Sequence, residues 1–184
     1  MLMTRHATLT REVSVKDAKL VHTIYTQTPS YFELISIPLP SLAEVERELE
    51  AAAQDPRRHI ELIFVPAYLD DAVPNDNMTA ARCNKIVGYL DYTLNYPEKG
   101  DATINLLMIP DNLQSRGYGH YCVHYLEQRL QGKAQRILAS IIGNNPKAKR
   151  FWSSLGYSFA IDARPVIEWY AKTLNDPYPA SLLY

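Results

Sequence analysis

The chain has 184 residues, of which 47% are hydrophobic and 21% are charged, a composition that predicts one globular domain, residues 1–184. Its 19 basic and 20 acidic residues nearly cancel, and no run reaches the roughly 20 apolar residues of a membrane span, so neither a nucleic-acid nor a membrane partner is predicted. The N-terminal residues lack the apolar core of a signal peptide, and Cys83 and Cys122 lack metal-ligand spacing, so we predict a cytoplasmic protein without a metal site.

The first third of the chain predicts a short strand followed by two helices. Ser14 and Asp17 stand at the spacing of a capping arrangement, and Ser41 and Glu44 form a capping box. Apolar residues recur at helical spacing after each of these starts. The predicted elements are a strand at 8–13, a helix that begins near 14 and is broken at 28–32, and a helix that begins at 41 and stops at 55–56.

Three β-prone segments in the middle of the chain predict an antiparallel meander, because no helical pattern separates them. The first segment, 59–68, is almost entirely apolar, as expected of a buried central strand. The second and third cover 86–94 and 102–109 and are joined by a short turn. Residues 69–84 are rich in Asp, Asn, Ala and Pro without periodicity, which predicts a long loop.

A strand, a tight loop and a helix follow one another in the stretch 104–127. The apolar strand ends at Pro110, and apolar residues recur at helical spacing after Gly117 and Gly119. Glycines at a helix start expose unpaired backbone N–H groups at the positive end of the helix dipole, and they lack the Cβ atoms that would keep an anion away. The pattern fits a phosphate cradle, and it also fits glycines that only allow close helix packing.

The last third of the chain predicts a crossover and a final hairpin. The helix at 117–131 joins the strand 102–109 to a strand at 136–142, so these two strands should be parallel. The remaining predicted elements are a helix at 145–155 that ends at Gly156 and a hairpin of strands at 157–160 and 166–173. The predicted fold class is therefore α/β, of the mixed α+β kind, with helices on both faces of the sheet.

Two motifs in the second half of the chain carry a resemblance to a known family. The run Gln114-x-x-Gly117-x-Gly119 after an apolar strand resembles the pyrophosphate-binding loop of the GNAT superfamily of acyl-CoA-dependent N-acyltransferases. The run 145–157, with its initial Asn145, an aromatic pair and a Leu-Gly-aromatic ending, resembles the second signature of that family. The resemblance implies a GNAT-like, mostly antiparallel central sheet with a splayed parallel strand pair and helices on both faces.

The resemblance also implies the reaction, which is transfer of an acetyl group from acetyl-CoA to an amine by direct attack in a ternary complex. Acetyl-CoA is then a cosubstrate, and the acceptor is an unidentified small molecule or peptide. An N–H near Leu107 or Met108 is implied to stabilise the oxygen of the tetrahedral intermediate. The residues implied to bind the cofactor are Leu107, Met108, Ile109, Gln114, Ser115, Arg116, Gly117, Tyr118, Gly119, His120, Asn145 and Trp152.

Proton transfer has no such clear assignment. An alkyl amine with a pKa near 10 is deprotonated in only about one molecule in a thousand at neutral pH, so a base is needed. The catalytic candidates are Asp91 and Asn105 on neighbouring predicted strands, with exposure of Asp91 to solvent as the alternative. Many family members place a Tyr at the second aromatic position, whereas this chain has Trp152, whose indole cannot serve as an acid.

The acceptor site and two rival functions stay open. Tyr31 and Phe32 are the candidate substrate-binding residues, with closure of the core as the alternative. Asn145 can bind pantetheine, cap the helix that begins at Pro146, or do both. Because Trp152 replaces Tyr, a non-catalytic acyl-CoA-binding module is the alternative function, and a structural α/β domain with vestigial motifs is a third. A homodimer is also left open.

Overall fold

The computed structural model describes residues 9–65, 85–164 and 167–174. Its strands are β1 (Leu9–Glu12), β2 (Arg58–Val65), β3 (Lys85–Leu94), β4 (Asp101–Met108), β5 (Arg136–Ile142), β6 (Ser158–Arg164) and β7 (Ile167–Thr173). Within the described residues these strands form one sheet in the order β1-β2-β3-β4-β5-β7-β6. Every neighbouring pair is antiparallel except β4 and β5, which are parallel. The sheet is thus mostly antiparallel, as predicted.

Helices cover both faces of this sheet. They are α1 (Ala18–Thr26), α2 (Pro29–Leu34), α3 (Leu42–Ala52), α4 (Tyr118–Leu130) and α5 (Pro146–Ser154). Leu62 packs with α1, α2 and α3 in one buried cluster, and Ile63 packs with α4 and α5 in another. Successive residues of a strand point to opposite faces, so the two clusters form two cores on either side of the sheet.

The predicted fold class and the parallel pairing of the two central strands are confirmed, but one segment differs from its prediction. The segment 28–32 does end α1, and it then begins α2 instead of remaining a break. Pro29 occupies the first turn of α2, where a missing N–H costs nothing and a fixed φ favours the helix. The predicted loop at 69–84 lies outside the described residues.

The strands β4 and β5 are paired over only half of their length. Their parallel register begins with Asp101 opposite Arg136 and ends with Ile104 opposite Ala139. At the same point the register between β3 and β4 shifts, because Tyr92 faces Ile104 while Asp91 faces Leu106. Asn105 is therefore the extra residue of a β-bulge, which bends its strand and increases its twist. The bulge turns the end of β4 away from β5 and opens a gap in the middle of the sheet.

A buried ion pair ties the sheet to α4 at the opposite end. The carboxylate of Glu61 on β2 is 5% exposed and accepts hydrogen bonds from both terminal nitrogens of Arg129 on α4, with Nη1 to Oε2 at 2.8 Å. The hydroxyl of Tyr92 donates to Glu61 Oε1 at 3.0 Å. The guanidinium carbon of Arg129 lies 5.6 Å from the ring centroid of Tyr92 and 5.5 Å from that of Tyr125. These contacts hold α4 against β2 and β3.

We expect Arg129→Met to reduce the free energy of unfolding by about 3 kcal/mol, because the change leaves the buried carboxylate of Glu61 without its counter-charge. Urea unfolding measures this loss. The double variant Glu61→Gln, Arg129→Met serves as the control and should be more stable than Arg129→Met, since no buried charge remains unpaired. A loss below about 1 kcal/mol in the single variant, the usual contribution of an exposed pair, would contradict this account.

Candidate active site

A cleft of about 650 Å³ lies where β4 bends away from β5. Its walls come from α2, the end of β4, the loop between β4 and α4, and the first turns of α5. The sequence-predicted residues that line it are Tyr31, Leu107, Met108, Ile109, Gln114, Ser115, Gly117, Gly119, His120, Asn145 and Trp152. The structure thus brings both sequence motifs and one of the predicted substrate-binding residues to the same cleft.

Five predicted residues lie outside the lining of this cleft. Arg116 is exposed on the loop, and Tyr118 is half-buried against the core between the sheet and α4. Phe32 is 6% exposed and packs in the core, its ring centroid 5.4 Å from that of Tyr25. Asp91 and Asn105 also lie away from the lining, on the face of the sheet that α1 to α3 cover.

The loop before α4 ends in a helix start with free backbone donors. Gly117 precedes α4 with φ +85° and ψ −7°, a left-handed conformation that glycine adopts without strain. The first turn of the helix closes with a hydrogen bond from the N–H of Tyr121 to the carbonyl of Gly117, 3.0 Å long. No side chain caps this end, so the N–H groups of residues 118–120 have no acceptor within the helix. They point out of the positive end of the helix dipole.

The two glycines of the loop have different physical roles. A Cβ atom added to Gly117 would meet nothing within 4 Å, so this position faces open space in the cleft. A Cβ atom added to Gly119 would lie 3.0 Å from Cε2 of Phe151, a contact so tight that the ring would have to shift. The packing alternative raised by the sequence therefore applies to Gly119, which lets α4 approach α5, and it does not apply to Gly117.

Hydrogen bonds fix the loop to α2 on one side and to α5 on the other. The carboxylate of Asp111 accepts from the hydroxyl of Ser30 at 2.6 Å and from its backbone N–H at 3.2 Å. The amide nitrogen of Gln114 donates to the carbonyl of Ile109 at 3.0 Å and to Asp111 at 2.8 Å. The ammonium of Lys147 donates to the side-chain oxygen of Gln114. We call this set of contacts the loop clamp.

Sequence reasoning missed part of the cleft. Thr28, Ser30 and Leu34 of the α2 region line it, as do Lys147 and Arg150 on α5. The spacing of the two basic residues is typical of a solvated helix face, yet both line the same cleft as the backbone donors at the start of α4. No local pattern could have paired Ser30 with Asp111, because the two residues lie far apart in the sequence.

Asn145 has the capping role that its sequence position suggests. Its side-chain oxygen accepts a hydrogen bond from the backbone N–H of Ala148 at 2.9 Å, and Pro146 fills the first helical position. Because the oxygen is used in this way, the amide nitrogen of Asn145 remains as the group that can donate into the cleft. The capping role and the pantetheine-binding role are therefore compatible.

Asp91 is buried, so the alternative that it points to solvent is wrong. It is 2% exposed, and its carboxylate accepts from Nε of Arg58 at 3.1 Å. The side-chain amide of Asn105 donates to Asp91 at 2.8 Å and to the hydroxyl of Thr93 at 2.9 Å. Arg58 also donates to Glu48 on α3 at 3.1 Å. The two catalytic candidates are thus in direct contact with each other at the bulge of β4.

Trp152 belongs to the core more than to the cleft. It is 5% exposed, and its ring centroid lies 5.0 Å from those of Phe151 and Tyr157. The indole therefore fills the space between α5 and the sheet and also contributes to the lining of the cleft. Its N–H is a hydrogen-bond donor that does not ionise at neutral pH.

The described residues were also compared with the requirements of a metal site and of a membrane-spanning helix. In that part of the chain, no group of three or more His, Cys, Asp or Glu side chains is arranged to hold a metal ion. None of the described helices has the length and apolar character required to cross a bilayer. Cys122 on α4 is fully buried, and this burial raises the pKa of its thiol to about 12.

Comparisons with known proteins agree with this geometry. The acetyltransferase (GNAT) family model matches residues 35–157. The crystal structure of an acetyltransferase from Thermus thermophilus is 36% identical in sequence, with a TM-score of 0.78 over 92% of this chain and 99% of that chain. The search of curated proteins found no match.

Two more distant structures share the fold. One is a spermidine N-acetyltransferase from Vibrio cholerae in complex with CoA and spermine, at 13% identity and a TM-score of 0.66, covering 91% of this chain and 95% of that one. The other is an acetyl transferase from Salmonella typhimurium that modifies the N-terminal serine of a 50S ribosomal subunit protein, at 12% identity and a TM-score of 0.70, covering 94% and 97%. With the family model matching more than half of its length, the chain belongs to the GNAT family of acetyltransferases.

Proposed function

We propose that this protein transfers an acetyl group from acetyl-CoA to an amine of a small molecule or peptide, by direct attack within a ternary complex. The observation that carries the proposal is the position of the open helix start at the mouth of the gap between β4 and β5. A diphosphate at the helix start would direct the attached thioester arm into that gap. The acyl carbon would then lie where an acceptor can reach it.

The diphosphate site in this proposal consists of backbone donors and surrounding cations. The free N–H groups at residues 118–120 supply directional hydrogen bonds, and the left-handed Gly117 keeps that space empty. Arg116 lies exposed on the same loop, and Lys147 and Arg150 line the facing wall. Coenzyme A carries several negative charges on its phosphates, so we assign its phosphates to the end of the cleft that holds these donors and cations.

The thioester arm would lie along the free edge of β4. Beyond Ile104 the backbone of β4 has no partner on β5 within the described residues, so its N–H and C=O groups on that side are available to pantetheine amides. An N–H at Leu107 or Met108 would donate to the oxygen of the tetrahedral intermediate. Asn145 would add its amide N–H from the opposite wall.

Asp91 and Asn105 are the proposed proton-handling pair. Their direct hydrogen bond, at the bulge where the pairing of β4 with β5 ends, supports a shared role. The Asp91 carboxylate already accepts hydrogen bonds from Arg58 and Asn105, and these must rearrange before it takes a proton. A water held by Asn105 can carry the proton from the acceptor amine to Asp91.

Two general features complete the proposal. All described strands belong to one sheet, which supports a single domain over residues 1–184. We also propose a cytoplasmic location and a reaction without a metal. The second candidate function is a non-catalytic acyl-CoA-binding module, and the observation that favours it is Trp152, since neither member of the aromatic pair Phe151-Trp152 is an acid for the departing thiolate.

Ligand binding and turnover together test these alternatives. Acetyl-CoA at 100 times its dissociation constant should stabilise the folded protein by about 2.7 kcal/mol through mass action, which appears as a rise in melting temperature. Release of free CoA thiol is then followed with a panel of polyamines, aminoglycosides and peptide N-termini. Binding with acceptor-dependent thiol release supports the enzyme. Binding without release for any amine would favour the binding module, and no binding at all would exclude both.

Substitution of Gly117 tests the diphosphate site. Gly117→Asp and Gly117→Asn place side chains of nearly the same size at the same left-handed position, so they share the backbone strain and differ in charge. Repulsion between the new carboxylate and the diphosphate should cost about 2 kcal/mol after solvent screening, or roughly 30-fold in affinity. Calorimetric titration with CoA measures both variants. Equal affinities for the Asp and Asn variants would show that no phosphate lies at this loop.

Substitution of Asp91 tests the proton-handling pair. We expect Asp91→Asn to slow turnover by about 100-fold while CoA affinity stays unchanged, because only the base is lost. Arg58→Gln is the matched control, since it breaks the same ion pair and leaves the carboxylate in place. Steady-state kinetics are measured where circular dichroism shows both variants folded. An equal loss of turnover in the two variants would instead assign Asp91 a structural role.

A further inference from the structure

In the proposed reaction the departing CoA thiolate needs a proton, and the aromatic pair of the second motif cannot supply it. Trp152 is an indole, and its neighbour Phe151 has no ionisable group. Among the described residues that line the cleft, Tyr31 is the one tyrosine. It comes from α2, on the wall opposite α5, and the sequence suggests acceptor binding or closure of the core for this position.

The surroundings of Tyr31 place it at the thioester end of the cleft and away from the phosphate end. Its side chain packs against the core cluster that contains Met108 and Tyr89, which face each other across β3 and β4. Its ring lies 5.3 Å from that of Phe32 in an edge-on contact, and Phe32 is buried. The phenol ring therefore packs beside the end of β4. In the proposed function, N–H groups of this strand donate to the acyl oxygen.

The loop clamp fixes the position of Tyr31 relative to β4. The adjacent residue Ser30 binds Asp111 through both its hydroxyl and its N–H, and the N–H of Asp111 donates to the carbonyl of Gln27 at 2.9 Å. These three contacts join the start of α2 to the residues that directly follow β4. A side chain one position along α2 thus keeps a constant relation to the end of that strand.

The hydroxyl of Tyr31 is free to donate a hydrogen bond or a proton to a ligand. It makes no hydrogen bond to any residue in the described part of the chain. Burial and, secondarily, the nearby carboxylate of Glu48 raise the pKa of Tyr31, so the phenol carries its proton at neutral pH. A protonated hydroxyl without a partner, on the wall of a cleft, is a group that can donate to a ligand.

The other ionisable groups of the cleft are less suited to this role. His120 is exposed at the phosphate end, and its Nε2 is within 3.1 Å of the hydroxyl of Ser154. Lys147 is bound to Gln114 in the loop clamp. His120 therefore lies with the helix start and Lys147 already has a partner, whereas the hydroxyl of Tyr31 has none among the described residues.

We propose that Tyr31 is the catalytic acid that protonates the CoA thiolate. This inference rests on the proposed acetyl transfer. As the tetrahedral intermediate collapses, the C–S bond breaks and its electron pair moves to sulfur, while the carbonyl bond reforms. The proton of the Tyr31 hydroxyl is transferred to sulfur, giving neutral CoA thiol. The attacking nitrogen gives its proton through water to Asp91, and a proton passes on from Asp91 through water to the phenolate, so both residues regain their starting states and no proton is gained or lost overall.

Tyr31→Phe tests the proposal because it removes one hydroxyl and keeps the ring in the core. We expect kcat to fall by about 100-fold with the most active amine of the panel, while the KM of that amine and the affinity for CoA stay within about threefold of wild type. Incorporation of 3-fluorotyrosine at position 31 should restore turnover, because it returns an acidic hydroxyl to the same place. Tyr96→Phe is the control, since Tyr96 is 40% exposed and lies outside the lining of the cleft.

Each result decides the assignment. An unchanged kcat in Tyr31→Phe would overturn it, and so would a raised amine KM with normal kcat, which would make Tyr31 a binding residue for the acceptor. An equal loss in Tyr96→Phe would also overturn it, because the effect would not be specific to the cleft. Absence of turnover in the wild-type protein with every amine would remove the proposed function and this inference together, whereas a failure of Tyr31 alone leaves acetyl transfer intact.

Discussion

The separation of β4 from β5 is the constraint on which the rest of the site depends. Parallel pairing stops at Ile104, and the bulge at Asn105 begins at that point, so one extra residue both ends the ladder and redirects the strand. Unpaired backbone groups in the middle of a sheet are costly unless another partner satisfies them. The edge of β4 beyond Ile104 faces the cleft. In the proposed function, its unpaired N–H and C=O groups are the groups that bind the ligand.

The two walls of the cleft are held at a set distance by polar contacts as well as by packing. Asp111 bonds to Ser30 on one wall, and Gln114 bonds to Lys147 on the other, while Gln114 and Asp111 bond to each other. Gly119 adds close contact between α4 and α5. As a result the loop, both flanking helices and the end of β4 form one unit, and the backbone donors of the helix start are oriented before any ligand arrives.

Local patterns predicted the elements of the fold, and they failed where distant residues decide the outcome. Periodicity and capping predicted most strands and helices, and the spacing of Gly117 and Gly119 indicated the open helix start of α4. The bulge at Asn105 could not be predicted, because register depends on both strands at once. The burial of Asp91 depends on Arg58, which lies 33 residues away. Pro29 is typical of a first helical turn and indicates the start of α2, whereas the sequence analysis treated 28–32 only as a break.

The packing of Trp152 bears on where the proposed reaction finds its acid. The ring centroid of Trp152 lies 5.0 Å from those of two other aromatic rings, and the side chain fills the core under α5. A large aromatic side chain suits the volume of this site. A proton donor must then come from a part of the cleft where packing leaves a hydroxyl free, and α2 is such a part. Because Ser30 and Asp111 hold α2 against the loop, a donor at Tyr31 depends on those hydrogen bonds rather than on the second motif. Loss of the clamp would then impair proton transfer even with every residue of both motifs in place.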